Sequence, residues 1–178
     1  MKLSFVSLAL AAAALSPLVA QAQQALVPAQ SEVSFVSRQM GVPVEGKFKT
    51  FSAQVAFDPA KLATSQIAFT VDTGSADISR EANAELPKAT WFNVAAFPKA
   101  TFQSSSIKRL DASKFEVTGK LSIKGLSSDV VVPVTLAQNG ATTTATGAFP
   151  IKRLAFRIGE KEWADTSMVA DEVQVKFK

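Results

Sequence analysis

Residues 114–136 read KFEVTGKLSIKGLSSDVVVPVTL, and the first half of this stretch alternates without a break. Phe115, Val117, Gly119, Leu121 and Ile123 fall on one side, while Lys114, Glu116, Thr118, Lys120, Ser122 and Lys124 fall on the other. Successive side chains of a strand project to opposite faces, so this is a strand with one dry and one watered face. Gly125 breaks the run and residues 126–128 turn it. A Val-rich run interrupted by Pro133 then returns as a second strand from Val130. Two strands joined by a short Gly/Ser loop make an antiparallel hairpin.

The same signature recurs on both sides of the hairpin. Residues 23–27 read as a short edge strand stopped by Pro28, and residues 31–38 alternate around Val33 and Phe35. Residues 44–57 form a long strand whose apolar parity switches near Lys49-Thr50, the mark of a β-bulge. Residues 66–72 carry Ile67, Phe69 and Val71 inward, and residues 99–107 resume around Phe102. Beyond the hairpin, Gln138-Asn139-Gly140 is a turn, residues 141–158 extend as a strand with Pro150 implying an edge or bulge, and Val173, Val175 and Phe177 close the chain. Two segments lack period 2. Residues 74–97 predict a short helix over 80–86, stopped by Pro87 and followed by an aromatic plug of Trp91, Phe92 and Phe97, and residues 159–171 loop around Trp163. An all-β, antiparallel, eight-stranded β-barrel with one short helical insertion is the architecture this order predicts.

Residues 1–22 stand apart. Lys2, an Ala/Leu-rich run and the small residues Ala20 and Ala22 predict a secretory signal peptide, with the mature domain spanning residues 23–178. The apolar run is too short to span a bilayer, so the chain is not read as an integral membrane protein. The whole chain has 19 basic and 15 acidic residues, a net charge of +4, with no clustered basic patch of the kind nucleic acid requires. It contains no cysteine and no histidine. Disulfides therefore do not hold the fold, and the Ser-His-Asp and Cys-His arrangements and His-rich metal sites are excluded. No reaction can be written that names its residues. The chain is read as a binding protein with no cofactor.

Several ordered segments carry a family resemblance: SEVSFVSRQMGVPVEGKFKTFSAQVAFDP, WFNVAAFPKATFQSSSI, FEVTGKLSIKGLSSDVVVPV, IKRLAFRIG and VADEVQVKF. Together they cover nearly all of the domain, and they resemble the YceI family of exported bacterial proteins. The resemblance implies a lipocalin-like barrel whose lumen takes a long apolar chain, such as an isoprenoid quinone, a polyisoprenoid, or a fatty amide or acid. The signal peptide predicts export to the periplasm. Many members carry a histidine where this chain has Gln39-Met40, and an acidic-His pair where it has Glu81-Ala82-Asn83-Ala84. Any role of those histidines does not transfer.

The inward residues are either a solid core or the wall of a ligand tunnel. Phe35, Phe48, Phe57, Phe69, Phe102, Val117, Leu121, Ile123 and Phe156 are the candidates, with Trp91 and Trp163 capping the barrel or forming its mouth. Gly119 marks a bend or a place where a ligand meets backbone. Asp77, Arg80, Glu81 and Glu85 read as a solvated helix face with one Arg–Glu pair, and Lys120 and Lys124 as outer-face charges. Arg153 and Arg157 either orient a head group or, the favoured reading, pair with Glu160, Glu162 or Asp165. Burying a methylene is worth ~0.8 kcal/mol, so a tail-dominated site needs few polar contacts and is loose toward its head group. Two functions follow. One is a carrier for an amphipathic lipid or quinone, in which exposed barrel mouths can pair into a homodimer. The other is a stress-response or protein-interaction module with a filled barrel.

Overall fold

The computed structural model describes residues 23–178; residues 1–22, on which the signal-peptide expectation falls, lie outside the described part. The described residues form ten strands: β1 Val33–Gln39, β2 Val42–Phe48, β3 Phe51–Ala56, β4 Gln66–Asp72, β5 Ala76–Asp77, β6 Lys99–Arg109, β7 Lys114–Ile123, β8 Leu126–Asn139, β9 Thr142–Lys152 and β10 Glu172–Phe177. Among the described residues a single α-helix, α1, spans Arg80–Glu85. All ladders are antiparallel, and the sheet runs in the order β3-β4-β6-β7-β8-β9-β10-β1-β2-β5. No described helix is long and apolar enough to cross a membrane.

Ten strands replace the expected eight, and the reason lies at Lys49-Thr50. The parity switch there is not a bulge in one long strand. The chain crosses between the two ends of the sheet order, leaving β2 near one end and starting β3 at the other. A second crossing, the 3₁₀ turn Thr73–Ser75, links β4 to the two-residue β5. The crossings are tied together: Lys49 N–H donates to the Ser75 carbonyl at 3.1 Å, Asp72 N–H to the Thr50 carbonyl at 3.0 Å, and Thr50 N–H to Ser75 Oγ at 3.0 Å. These links curl the sheet strongly upon itself. Residues 23–27 form no strand; Gln24 makes one bridge to Val55, and its side chain exchanges hydrogen bonds with the Phe57 backbone.

The β7–β8 hairpin turns earlier and more tightly than its sequence predicts. Lys124 and Gly125 have φ of 50° and 76°, the two positive values a two-residue type I′ turn needs, and β8 begins at once with Leu126 opposite Ile123. The bulge in the sheet sits in β6, where the register shifts between Ser104 and Ser106 opposite Gly119 and Thr118. Gly119 is thus at a bend, and the group that meets its backbone is the Phe102 ring. A Cβ at Gly119 would fall against that ring and 2.5 Å from the Gln103 carbonyl oxygen. Gly46 receives Phe35 and Gly147 receives Phe177 in the same way.

Two prolines mark where neighbouring strands part. The β8–β9 ladder runs only from Val134–Gly147 to Asn139–Thr142. Pro133 lies just beyond it and pairs only with Glu116 of β7, while Pro150 pairs only with Gln174 of β10. Proline has no N–H to offer a second neighbour, so both fall where that neighbour is absent. β9 then ends at Lys152, and the 3₁₀ turn Arg153–Phe156 packs against β8. Leu154, Phe156 and Ile158 are therefore not strand residues as predicted, and Phe156 and Ile158 are buried in the main core. From the other irregular segment, Leu86 and Phe92 enter the same core. Ser79 caps α1 by accepting from Ala82 N–H at 3.3 Å.

Candidate functional site

The interior is divided along the strands. Toward the β6–β7 turn it is packed with aromatic rings: Phe57 meets Phe115 edge-on at 5.3 Å, Phe69 lies 6.3 Å from Phe177, and the Arg109 guanidinium sits 5.2 Å from the Phe115 ring centre. Toward the β7–β8 turn the packing stops. There a cavity of about 450 Å³ lies between the sheet, α1 and the two irregular segments. Its wall is mostly apolar. β1 contributes Val33 and Phe35, β7 contributes Leu121 and Ile123, β9 contributes Phe149 and Ile151, and β10 contributes Val173 and Val175. Gln39, Ser79 and Glu81 line it and are exposed, which places the mouth between the end of β1 and the start of α1. A volume of this size lies within the range of sites that enclose small organic ligands.

The residues nominated from sequence separate along the same division. Phe35, Phe48, Trp91, Leu121, Ile123 and Trp163 line the cavity. Phe57, Phe69, Phe102, Val117 and Phe156 do not; they fill the interior elsewhere, with Val117 and Phe156 each only 2% exposed. Side-chain parity distinguishes inside from outside but does not tell height along the barrel. Height follows from register, which no single strand carries. Val44, Phe149, Ile151, Val173 and Val175 also line the cavity and share the same apolar parity. Ile78, Leu86, Phe92 and Val169 come from segments without a periodic signal.

Trp91 and Trp163 meet, with ring centres 5.5 Å apart. They form a stretch of wall and join the two irregular segments. The Trp91 indole N–H is buried and has no hydrogen-bond partner among the described residues. A second hollow lies at the seam, among Pro28, Glu32, Lys47 and Lys49, and its mixed charged surface offers no continuous apolar wall.

The cavity's charged residues are placed differently from the expectation. Arg153 pairs with none of Glu160, Glu162 or Asp165. It is 2% exposed and gives all its N–H groups to backbone carbonyls: Nε to Ala170 at 3.0 Å, Nη1 to Ile158 at 2.8 Å and Gly159 at 2.9 Å, and Nη2 to Trp163 at 2.6 Å and Val169 at 2.7 Å. A guanidinium has five N–H donors, and all five are engaged. Burial pulls its pKa below the ordinary arginine value, with Asp171 acting in the opposite direction. Arg153 thus folds the 153–170 segment around itself, and its positive charge is met by carbonyl dipoles. Glu160 pairs instead with Lys124 at 3.0 Å. Lys124 is not an outer-face charge: its side chain is 7% exposed and also donates to the carbonyls of Ala89 at 2.8 Å and Arg157 at 2.6 Å. The helix cluster also separates. Asp77 lies on β5 and pairs with Lys49 at 3.0 Å, Glu85 pairs with Lys88, and no Arg80–Glu pair forms among the described residues. Hydrogen bonds from Lys49 and then Asn83 hold the Asp77 carboxyl below its ordinary value.

A curled antiparallel sheet with an apolar end cavity can be compared with known proteins. Residues 25–178 match the family model of the YceI-like domain. The chain belongs to the YceI-like family. Among curated relatives it is 30% identical over 137 residues to a UPF0312 protein of Azotobacter vinelandii, covering 74% of this chain and 71% of that one. It is 32% identical over 96 residues to the protein YceI of Salmonella arizonae, covering 53% of this chain and 50% of that one. The crystal structure of BcnA from Burkholderia cenocepacia superposes with a TM-score of 0.82 at 53% identity, over 85% of this chain and 96% of that one. A polyisoprenoid-binding domain from Saccharophagus degradans shares the fold at 14% identity, with a TM-score of 0.65 over 83% of this chain and 90% of that one.

Proposed function

We propose that this YceI-like domain binds a long-chain amphipathic lipid, such as an isoprenoid quinone, a polyisoprenoid or a fatty amide, in its end cavity. The observation that carries the reading is the about 450 Å³ cavity with a nearly continuous apolar wall. In this reading the curled sheet works as a lipocalin-like barrel, closed at the Phe57–Phe115 end and loaded past α1. The Saccharophagus fold relative is a polyisoprenoid-binding domain, which points the same way. Each buried methylene contributes ~0.8 kcal/mol, and ordering and desolvation hold the net affinity well below the simple sum. In this reading the task is binding and not turnover, and what supports it is the apolar wall. A filled barrel acting only as an interaction module is the less well supported reading, because the space is there to fill.

The reading extends to place and state. The carrier is exported to the periplasm, loses residues 1–22, and either acts alone or pairs mouth to mouth as a homodimer. The test is to purify the protein from its native source, extract it with organic solvent and identify the extract by mass spectrometry. One lipid recovered at near-stoichiometric amount is the expected result. Repeated recovery of empty protein that takes up neither quinone nor fatty amide in titration would overturn it. N-terminal sequencing of the purified chain should begin at Gln23.

A further inference from the structure

The cavity carries a charge pattern that narrows its ligand class. Resting on the lipid-binding reading, we infer that it admits an uncharged polar head and turns away an anionic one. Among the described lining residues Arg153 is the one cation. All five of its N–H groups are held by the carbonyls of Ala170, Ile158, Gly159, Trp163 and Val169. A carboxylate or phosphate entering the cavity could take one of those donors only by stripping a carbonyl of its partner, which replaces one unsatisfied group with another. Lys124, next to the lining residue Ile123, is committed in the same way to Ala89, Arg157 and Glu160.

The other charges of the wall are negative. Glu81 and Glu85 both reach it from α1. The Glu85 charge is offset by Lys88, whereas Glu81 is exposed at the mouth and makes no ion pair among the described residues. An anionic head would pass a like charge on entry and then lose water with no cation to replace it. A carbonyl, amide or hydroxyl meets neither obstacle. It needs only neutral partners, and Ser37, Gln39 and Ser79 line the space for that purpose. The loose head-group preference expected of a tail-dominated site therefore applies within uncharged heads and stops at anions.

Matched ligand pairs test this. Oleamide is compared with oleic acid, and geranylgeraniol with geranylgeranyl phosphate, by equilibrium dialysis at neutral pH. The fluorescence of Trp91 and Trp163, the two tryptophans of the chain, provides a second readout. The neutral member of each pair should bind at least about tenfold more tightly, the ratio that 1.4 kcal/mol of discrimination gives. Glu81→Lys, at the mouth, should narrow the gap severalfold by tightening the binding of the anionic member of each pair. Equal or tighter binding of the anions would overturn the inference and leave the lipid reading standing. Failure of all four compounds to bind would overturn the lipid reading and this inference with it. A gap unaltered by Glu81→Lys would remove Glu81 from the selection.

Discussion

Arg153 and Gly119 show how much of this fold rests on single residues. The Arg153 guanidinium organises five carbonyls from residues 158–170 into one cluster. A lysine has three donors on one nitrogen and cannot span them. Arg153→Lys should therefore leave at least two buried carbonyls bare and destabilise the domain by about 2–4 kcal/mol, read from urea denaturation. A loss under 1 kcal/mol would show that water takes over the carbonyls and that the cluster is not what holds the segment. Gly119 acts by having no side chain. Phe102 lies against its Cα, and the Gln103 carbonyl blocks the remaining direction. Gly119→Ala should cost about 1–3 kcal/mol, the usual range for overpacking, because the backbone carbonyl cannot swing aside as a side chain can. Gly119→Ala combined with Phe102→Leu should recover part of that loss, since the shorter side chain relieves the ring contact while the carbonyl contact remains.

At the scale of elements, the hairpin β7–β8 joins the sheet to both irregular segments. The agent is Lys124, which lies in the turn and reaches the carbonyls of Ala89 and Arg157 and the carboxylate of Glu160. Lys124→Met keeps the aliphatic stem and removes the three bonds. Amide exchange should then speed up in residues 87–97 and 157–164 while the β6–β7 ladder stays protected; uniform acceleration would mean a global loss of stability and no specific tether. This role was illegible in sequence. Strand alternation assigns Lys124 to the wet face, but a positive-φ turn removes it from the strand's parity. By contrast, most strands were legible, because Phe115, Val117, Leu121 and Ile123 or Val173, Val175 and Phe177 carry period 2 openly. The errors cluster where long-range geometry decides. The Lys49-Thr50 parity switch has the sequence mark of a bulge and is a crossing between sheet ends. The residues after Lys152 continue an apolar run in sequence but leave the sheet into the 3₁₀ turn Arg153–Phe156, after β9 has already parted from β8 at Gly147.

For the whole molecule, the two crossings at Lys49-Thr50 and Thr73–Ser75 convert a ten-stranded ribbon into a container with a packed end and a hollow one. Sequence could show which side chains point inward, but not that Phe57 and Phe69 serve the packed end while Phe35 and Phe48 serve the hollow end. The same crossings carry a pH signature. The Asp77 carboxyl, bonded to Lys49 and Asn83 beside the crossings, is held below the ordinary 3.8. Asp111 is held down by the Ser113 and Lys114 N–H groups, and Asp165 by Ser167. A carboxyl whose pKa is lowered by folding stabilises the fold fully above its unfolded value and loses that contribution as pH falls through the folded one. With no histidine in the chain, no side chain of ordinary pKa titrates between pH 5 and 8. The melting temperature should thus be nearly flat from about pH 8 to pH 5 and fall once the pH drops below the ordinary carboxyl value of 3.8. Asp77→Asn should melt lower than the parent at neutral pH, and the deficit should shrink in acid, where the parent carboxyl is protonated too. Calorimetry of both proteins across that range decides the matter: a deficit as large in strong acid as at neutral pH would mean that Asp77 acts through packing and not through its charge.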